Sequence, residues 1–222
     1  MTEAVLRADR GVTLIGGAGA TRDAIDHARA RAPVVAAADG GAAFALAAGA
    51  RPEAVIGDMD SLDPAIAARL DPARTHRVAE QDSTDFEKCL ARIAAPLILA
   101  LGFTGGRLDH QLAAFNALVR AGGRPVVLVG AGDIAVHVPG CLACDLPSGL
   151  RVSLFPMATV RGRSEGLAWP IDGLVFAPDG RIGTSNRVCG GPVRLAFDGP
   201  GMLLILPLAG LDALLAGLGA GQ

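Results

Sequence analysis

The first 130 residues of this 222-residue chain alternate short, continuously apolar runs with stretches of helical periodicity. No other feature narrows the possible fold as far. The runs Val12–Ile15, Val34–Ala38, Ala54–Ile56, Leu97–Leu101 and Val126–Val129 are rich in Val, Ile, Leu and Ala. They show little polar alternation, as expected of strands buried on both faces. Thr84-x-x-Glu87 reads as a capping box, with Phe86, Leu90 and Ile93 following on one helical face. Leu108, Leu112, Phe115, Leu118 and Val119 make a second apolar stripe, closed by Gly122-Gly123. Strand–helix alternation predicts a mostly parallel sheet flanked by helices.

The texture changes near residue 131. Turn signals at Pro147-Ser148-Gly149, Pro178-Asp179-Gly180, Gly190-Gly191-Pro192 and Asp198-Gly199-Pro200 separate short apolar runs, which predicts antiparallel strands. The expected organisation is an α/β domain over residues 1–130 followed by an all-β sandwich over residues 131–222. Apolar residues make up 51% of the chain and charged residues 19%, which supplies a substantial core and excludes a disordered chain. The net charge is −2 and Lys88 is the only lysine, so neither a nucleic-acid face nor a polybasic membrane patch is expected. The longest nearly uncharged run, residues 199–211, is broken by Pro200 and Pro207 and falls short of the roughly 20 residues a spanning helix needs. The first ten residues hold no apolar stretch of the kind a secretory signal requires. The reading is therefore a cytoplasmic protein whose four cysteines stay reduced.

Four polar clusters lie at the ends of predicted strands or open predicted helices. They are Asp39-Gly40-Gly41, Gly57-Asp58-Met59-Asp60-Ser61, Gln81-Asp82-Ser83-Thr84-Asp85, and Gly105-Gly106-Arg107-Leu108-Asp109-His110. In an open parallel sheet the carboxyl ends of the strands line the ligand crevice, so the clusters should converge. Asp58, Asp60 and Asp85 are hard oxygen ligands suited to Mg²⁺, with Asp39 nearby. Gly105-Gly106 exposes backbone N–H groups at a helix start, and Arg107 and Lys88 add cations for phosphate. Together these parts describe a site for a metal–nucleotide complex. Each cluster alone also suits an ordinary structural role: Asp85 at a helix N-terminus, Asp39-Gly40-Gly41 as a turn, Arg107 and Asp109 as a surface pair.

At these residues the chain resembles the thiamine pyrophosphokinase family. The likeness continues through Asn116, Glu165-Gly166-Leu167-Ala168-Trp169-Pro170 and Gly183-Thr184-Ser185-Asn186. The resemblance implies transfer of an intact pyrophosphoryl group from ATP to the hydroxyl of thiamine, with release of AMP. It implies a homodimer with active sites where the subunits meet. By position, Asp58, Asp60 and Asp85 would hold Mg²⁺ and, with Asp39 and Lys88, form the catalytic set. Gln81, Thr84, Lys88, Arg107, Asp109, His110 and Asn116 would surround ATP. Trp169, Ser185 and Asn186 would contact thiamine, where an aromatic wall suits a cationic ligand. Trp169 as a core residue, and Ser185-Asn186 as a plain hairpin turn, remain the structural alternatives. Met59 stands where the family usually has an aromatic residue, and residues 211–222 match no motif.

Gly17-x-Gly19 followed by Asp39 outlines a dinucleotide site, but Arg22 occupies the third glycine position. That oxidoreductase is the rival enzyme, and a nucleotide- or thiamine-sensing module of the same fold is the non-catalytic rival. Cys141-x-x-Cys144 invites a zinc reading but lacks a second cysteine pair.

Overall fold

The computed structural model describes residues 3–219. The chain forms two compact units: one runs to Ala117 and includes Leu128–Gly130, the other comprises Leu118–Val127 and the chain from Ala131 onward.

The first unit contains β1 (Leu6–Arg7), β2 (Val12–Ile15), α1 (Arg22–Arg29), β3 (Val34–Ala38), α2 (Gly41–Ala47), β4 (Ala54–Gly57), α3 (Pro64–Ala67), β5 (Thr75–Arg77), α4 (Asp85–Arg92), β6 (Ile93–Ala94) and β7 (Ile98–Leu101). α5 (Leu108–Arg120) and β8 (Val126–Val129) carry residues of both units. Every ladder of the first unit is parallel: β2 with β7, β3 with β4, β4 with β5, and the short β1 with β6. β2, β3, β4 and β7 are buried at every position, which explains their unbroken apolar runs. The single polar side chain within β2, Thr13, donates its hydroxyl to Ala32 O at 2.6 Å.

The helices begin where side chains satisfy their free N–H groups. Thr21 caps α1, and Asp63 caps α3 just before Pro64. α4 carries the full capping box: Thr84 Oγ1 accepts from Glu87 N–H, and Glu87 Oε2 accepts from Thr84 N–H. Its buried face is Phe86, Lys88, Cys89 and Leu90. The stripe expected on α5 needs correction. Ala114, Ala117 and Leu118 are buried, whereas Leu108 and Leu112 are 70% and 57% exposed. Periodicity reads large apolar side chains most clearly, but alanine is what a helix buries where it packs closely.

The second unit contains β9 (Asp133–Val138), β10 (Cys141–Cys144), β11 (Arg151–Pro156), β12 (Val160–Glu165), β13 (Val175–Phe176), β14 (Gly183–Arg187), β15 (Val193–Phe197), β16 (Met202–Pro207) and α6 (Leu211–Gly217). Its ladders are antiparallel, in the orders β14-β11-β16-β9 and β10-β15-β12-β13. β15 alternates buried and exposed residues, whereas β16 is buried along most of its length. This unit is not all-β as expected. Leu211, Leu214 and Leu215 recur at i, i+3 and i+4 and are buried on α6. His137 braces the unit: its Nδ1 lies 2.9 Å from Gly122 O, and its Nε2 accepts Gly201 N–H at 3.0 Å. That geometry puts the imidazole proton on Nδ1.

Candidate functional site

In the first unit a cavity of about 630 Å³ opens at the carboxyl ends of the parallel strands. β2 delivers Gly17, β3 delivers Asp39, β7 leads to Phe103, and the start of α5 contributes Arg107. Thr84 and Asp85 reach it from the start of α4, and Ser61 from the loop after β4. All four polar clusters thus line one cavity, the Gly57–Ser61 cluster through Ser61.

Glycines set the spacing of these strand ends. A Cβ on Gly57 would lie 2.8 Å from Asp39 Cβ, so only glycine lets β3 and β4 bring Asp39 and Asp58 together here. A Cβ on Gly16 would lie 2.6 Å from Gly102 O, so the glycine loop after β2 serves close packing against the end of β7. Asp39, Met59 and Ser185 are the non-glycine residues with positive φ among those described, at 43°, 69° and 63°. All three lie within the polar or family-like motifs, where costly backbone geometry tends to concentrate.

The carboxylates sit in different environments. Oxygens of Asp39, Asp58 and Asp60 lie within 4.8 Å of one another. Asp39 is buried; its Oδ2 accepts Ser61 N–H at 3.4 Å, and its Oδ1 is buried with no hydrogen-bond partner. Burial pushes the Asp39 carboxyl up to about 6. Asp58 is held by cations and donors instead: Lys88 Nζ at 2.8 Å, the Gln81 amide at 3.2 Å and Asp60 N–H at 3.3 Å. The Lys88 contact holds Asp58 well below the usual carboxylate range. Asp60 is exposed and accepts from Ser61 Oγ at 3.0 Å. Asp85 lies beside this trio with Oδ1 3.3 Å from Lys88 Nζ, and burial raises its carboxyl despite that contact.

Lys88 is only 2% exposed, and its ammonium faces Asp58 and Asp85. Burial works against its charge, but the two carboxylates outweigh that cost and leave its pKa above the ordinary lysine value. Such an arrangement fixes the orientation of Asp58. A buried carboxylate oxygen with no donor, among three converging carboxylates, is a donor set that fits a hard divalent cation such as Mg²⁺.

The remaining residues read from the sequence have mixed settings. Arg107 and Asp109 are exposed and form a two-point ion pair, with Arg107 Nε 3.1 Å from Oδ1 and its NH2 group 2.6 Å from Oδ2. That pairing holds the Asp109 carboxyl at about 2. His110 lines the cavity, whereas Asn116 is exposed further along α5 and is not part of the cavity wall. Gly105 N–H donates to Gln111 Oε1 at 3.0 Å. Thr84 lines the cavity and caps its helix at the same time. Glu80 was not singled out by the sequence reading, yet it accepts from Asp82 N–H and Ser83 N–H and orders the loop carrying Gln81. Phe44 and Phe103 were missed too; both line the cavity, and Phe103 packs on Phe86 with centroids 4.4 Å apart.

In the second unit Trp169 is 58% exposed, with the Arg187 guanidinium 5.9 Å from its ring centroid. It is not a core tryptophan. Asn186 is buried and bonded to the main chain of Trp169, while Ser185 N–H donates to Ser153 Oγ at 3.0 Å. Cys141 and Cys144, three residues apart on β10, have alternate exposure and point to opposite faces, so they do not chelate one ion.

The first unit is thus an α/β domain with a charged ligand crevice at the carboxyl ends of parallel strands. Residues 25–128 match the family model of the thiamin pyrophosphokinase catalytic domain. Thiamine pyrophosphokinase 1 of Oryza sativa subsp. japonica is 28% identical over 167 residues, 67% of this chain and 63% of that protein. Thiamine pyrophosphokinase 1 of Arabidopsis thaliana is 27% identical over 157 residues, 62% of this chain and 59% of that protein. The chain therefore spans less than two thirds of the length of these curated relatives. The thiamin pyrophosphokinase from Candida albicans has the same fold, with TM-score 0.76, 16% identity and coverage of 91% of this chain and 92% of that one. The Bacillus subtilis enzyme aligns with TM-score 0.72 at 20% identity, over 89% of this chain and 98% of that one. No helix among the described residues is long and apolar enough to cross a membrane.

Proposed function

We propose that this chain is a thiamine pyrophosphokinase, moving the pyrophosphoryl group of ATP onto the hydroxyl of thiamine and releasing AMP. One observation carries the reading: within the stretch that matches the family's catalytic domain, carboxylate oxygens of Asp39, Asp58 and Asp60 lie within 4.8 Å of one another, and Asp39 Oδ1 is buried without a donor. The dinucleotide-oxidoreductase rival gives that convergence no role, and a product assay separates the enzyme from a sensor of the same fold.

In the proposed mechanism Asp58 and Asp60 hold Mg²⁺ with Asp39, which takes the place assigned to Asp85 from the sequence, because Asp39 shares their cluster whereas Asp85 Oδ1 faces Lys88 Nζ. The ion would neutralise charge on the ATP phosphates as the bond to AMP breaks. Lys88 and Gln81 orient Asp58, and Ser61 N–H orients Asp39. Arg107, released from Asp109, binds phosphate oxygens through its planar fork. Thr84, Asp109 and His110 complete the ATP set, and Trp169 and Ser185 form the thiamine set, with Asn186 bonded to the main chain of Trp169. Positioning of the alcohol in line with the β-phosphorus supplies most of the rate.

The same reading extends to the molecule. Its halves are a catalytic domain over residues 1–130 and a thiamine-binding β-sandwich over residues 131–222. The working form is a homodimer, supported by the uncovered apolar side chains of Leu108, Leu112 and Trp169. The compartment is the cytoplasm, supported by four free thiols.

The test is a product assay with ATP, Mg²⁺ and thiamine. The expected products are AMP and thiamine diphosphate, and Asp60→Asn should lower turnover by about 10²-fold or more. ADP as the product, or no turnover by a folded, thiamine-binding protein, would overturn the proposal.

A further inference from the structure

Asn186 is buried, yet it lies next to the most exposed aromatic side chain of the second unit. Its Nδ2 donates to Trp169 O at 2.7 Å, and its Oδ1 accepts Trp169 N–H at 3.2 Å. The same Oδ1 accepts Arg187 N–H at 2.8 Å. The carboxamide thus pairs with Trp169 as another strand would, gripping both of its main-chain polar groups. Ala168 N–H donates to Arg187 O at 2.8 Å, and Leu167 bridges Val188, so the clamp continues through the two residues that precede Trp169. Ser185, immediately before Asn186, adopts φ 63°, a left-handed turn of the chain just ahead of the buried amide. On the ring side, the Arg187 guanidinium stands over the indole at 5.9 Å. Main chain and ring are thus held from two consecutive residues of β14.

We propose that Asn186 is a positioning residue: it holds the indole of Trp169 as a fixed, exposed platform for a flat cationic ring and does not itself touch the ligand. Both faces of the argument are geometric. A carboxamide whose oxygen already accepts two N–H groups and which gives one of its two N–H groups to a carbonyl keeps a single donor, on a residue only 8% exposed, for anything else. A large aromatic surface gains affinity when it is rigid before the ligand arrives, because less freedom is lost on binding. The inference rests on the thiamine reading of Trp169 for the identity of the ligand, but the clamp itself can be tested without any ligand.

Trp169 is the only tryptophan of the chain, so its fluorescence reports on this platform alone. Time-resolved anisotropy should be measured for wild type, Asn186→Ala and Asn186→Asp without ligand, with thermal melts to confirm folding. Asn186→Asp keeps the acceptors and loses the donor to Trp169 O, so it serves where the alanine variant does not fold. In either variant the indole should acquire fast local motion that wild type lacks. Quenching of Trp169 by thiamine should then show a Kd raised about tenfold, with the KM for ATP unchanged, as expected for the loss of one good hydrogen bond. Unchanged anisotropy together with weakened thiamine binding would mean that Asn186 contacts the ligand directly, and would overturn the proposal. Unchanged anisotropy and unchanged binding would overturn it too. If thiamine fails to quench wild-type Trp169, the thiamine reading fails, while the ligand-free anisotropy still decides the positioning role.

Discussion

Asp39 behaves as its surroundings dictate rather than as its residue type suggests. An aspartate before two glycines reads from the sequence as a turn residue near a metal site. The fold buries it at positive φ, leaves Oδ1 without a donor, and raises its carboxyl from 3.8 to about 6. Between those values the folded chain keeps a proton that the unfolded chain has lost. Stability of the metal-free protein should therefore fall as pH rises from about 4 to about 6, by at most about 3 kcal/mol, and level off above. Denaturant titrations of wild type and Asp39→Asn across that range should differ by this slope, and parallel curves would show that the carboxylate is not desolvated. Divalent cation, which favours the charged form, should stabilise wild type more at pH 7 than at pH 5. Lys88 carries a similar lesson. The sequence marks it as a cation one turn after Asp85, but its burial and its contact with Asp58, thirty positions earlier, arise only in the fold.

At the scale of elements, local signals were the most legible. The capping box at Thr84 and Glu87 and the five wholly buried apolar runs follow from short-range chemistry, and the structure contains each of them. The inward face of α5 and the helix α6 were not legible in the same way, since what a helix buries depends on what packs against it. The approach of β3 to β4 belongs to this scale as well. Gly57→Ala would force Asp39 and Asp58 apart, because the added methyl would meet Asp39 Cβ at 2.8 Å. Displacement of about 1 Å at reacting groups can cost about 10²-fold in rate, so this variant should fold, by its circular dichroism, yet lose turnover on that order. Wild-type turnover in Gly57→Ala would show that the spacing of the two carboxylates is not critical.

For the molecule as a whole, the change from strand–helix alternation to closely spaced turn signals corresponds to a change from parallel to antiparallel ladders. Exposed Leu108 and Leu112, together with Trp169, leave apolar surface on a chain with net charge −2. Sedimentation velocity should give twice the mass of one chain at micromolar concentration, and a monomer throughout the accessible range would remove the homodimer from the proposed function. By itself the sequence determined the buried strands and the capped helix α4 of the first 130 residues and which residue types stand at the strand ends, because those properties depend on neighbours a few positions away. Which carboxylates converge, which of them loses its water, how Lys88 is enclosed and why Asn186 is spent on Trp169 were decided only by the tertiary structure. Burial and pairing are relations between residues distant in the chain, and they take values only once it has folded.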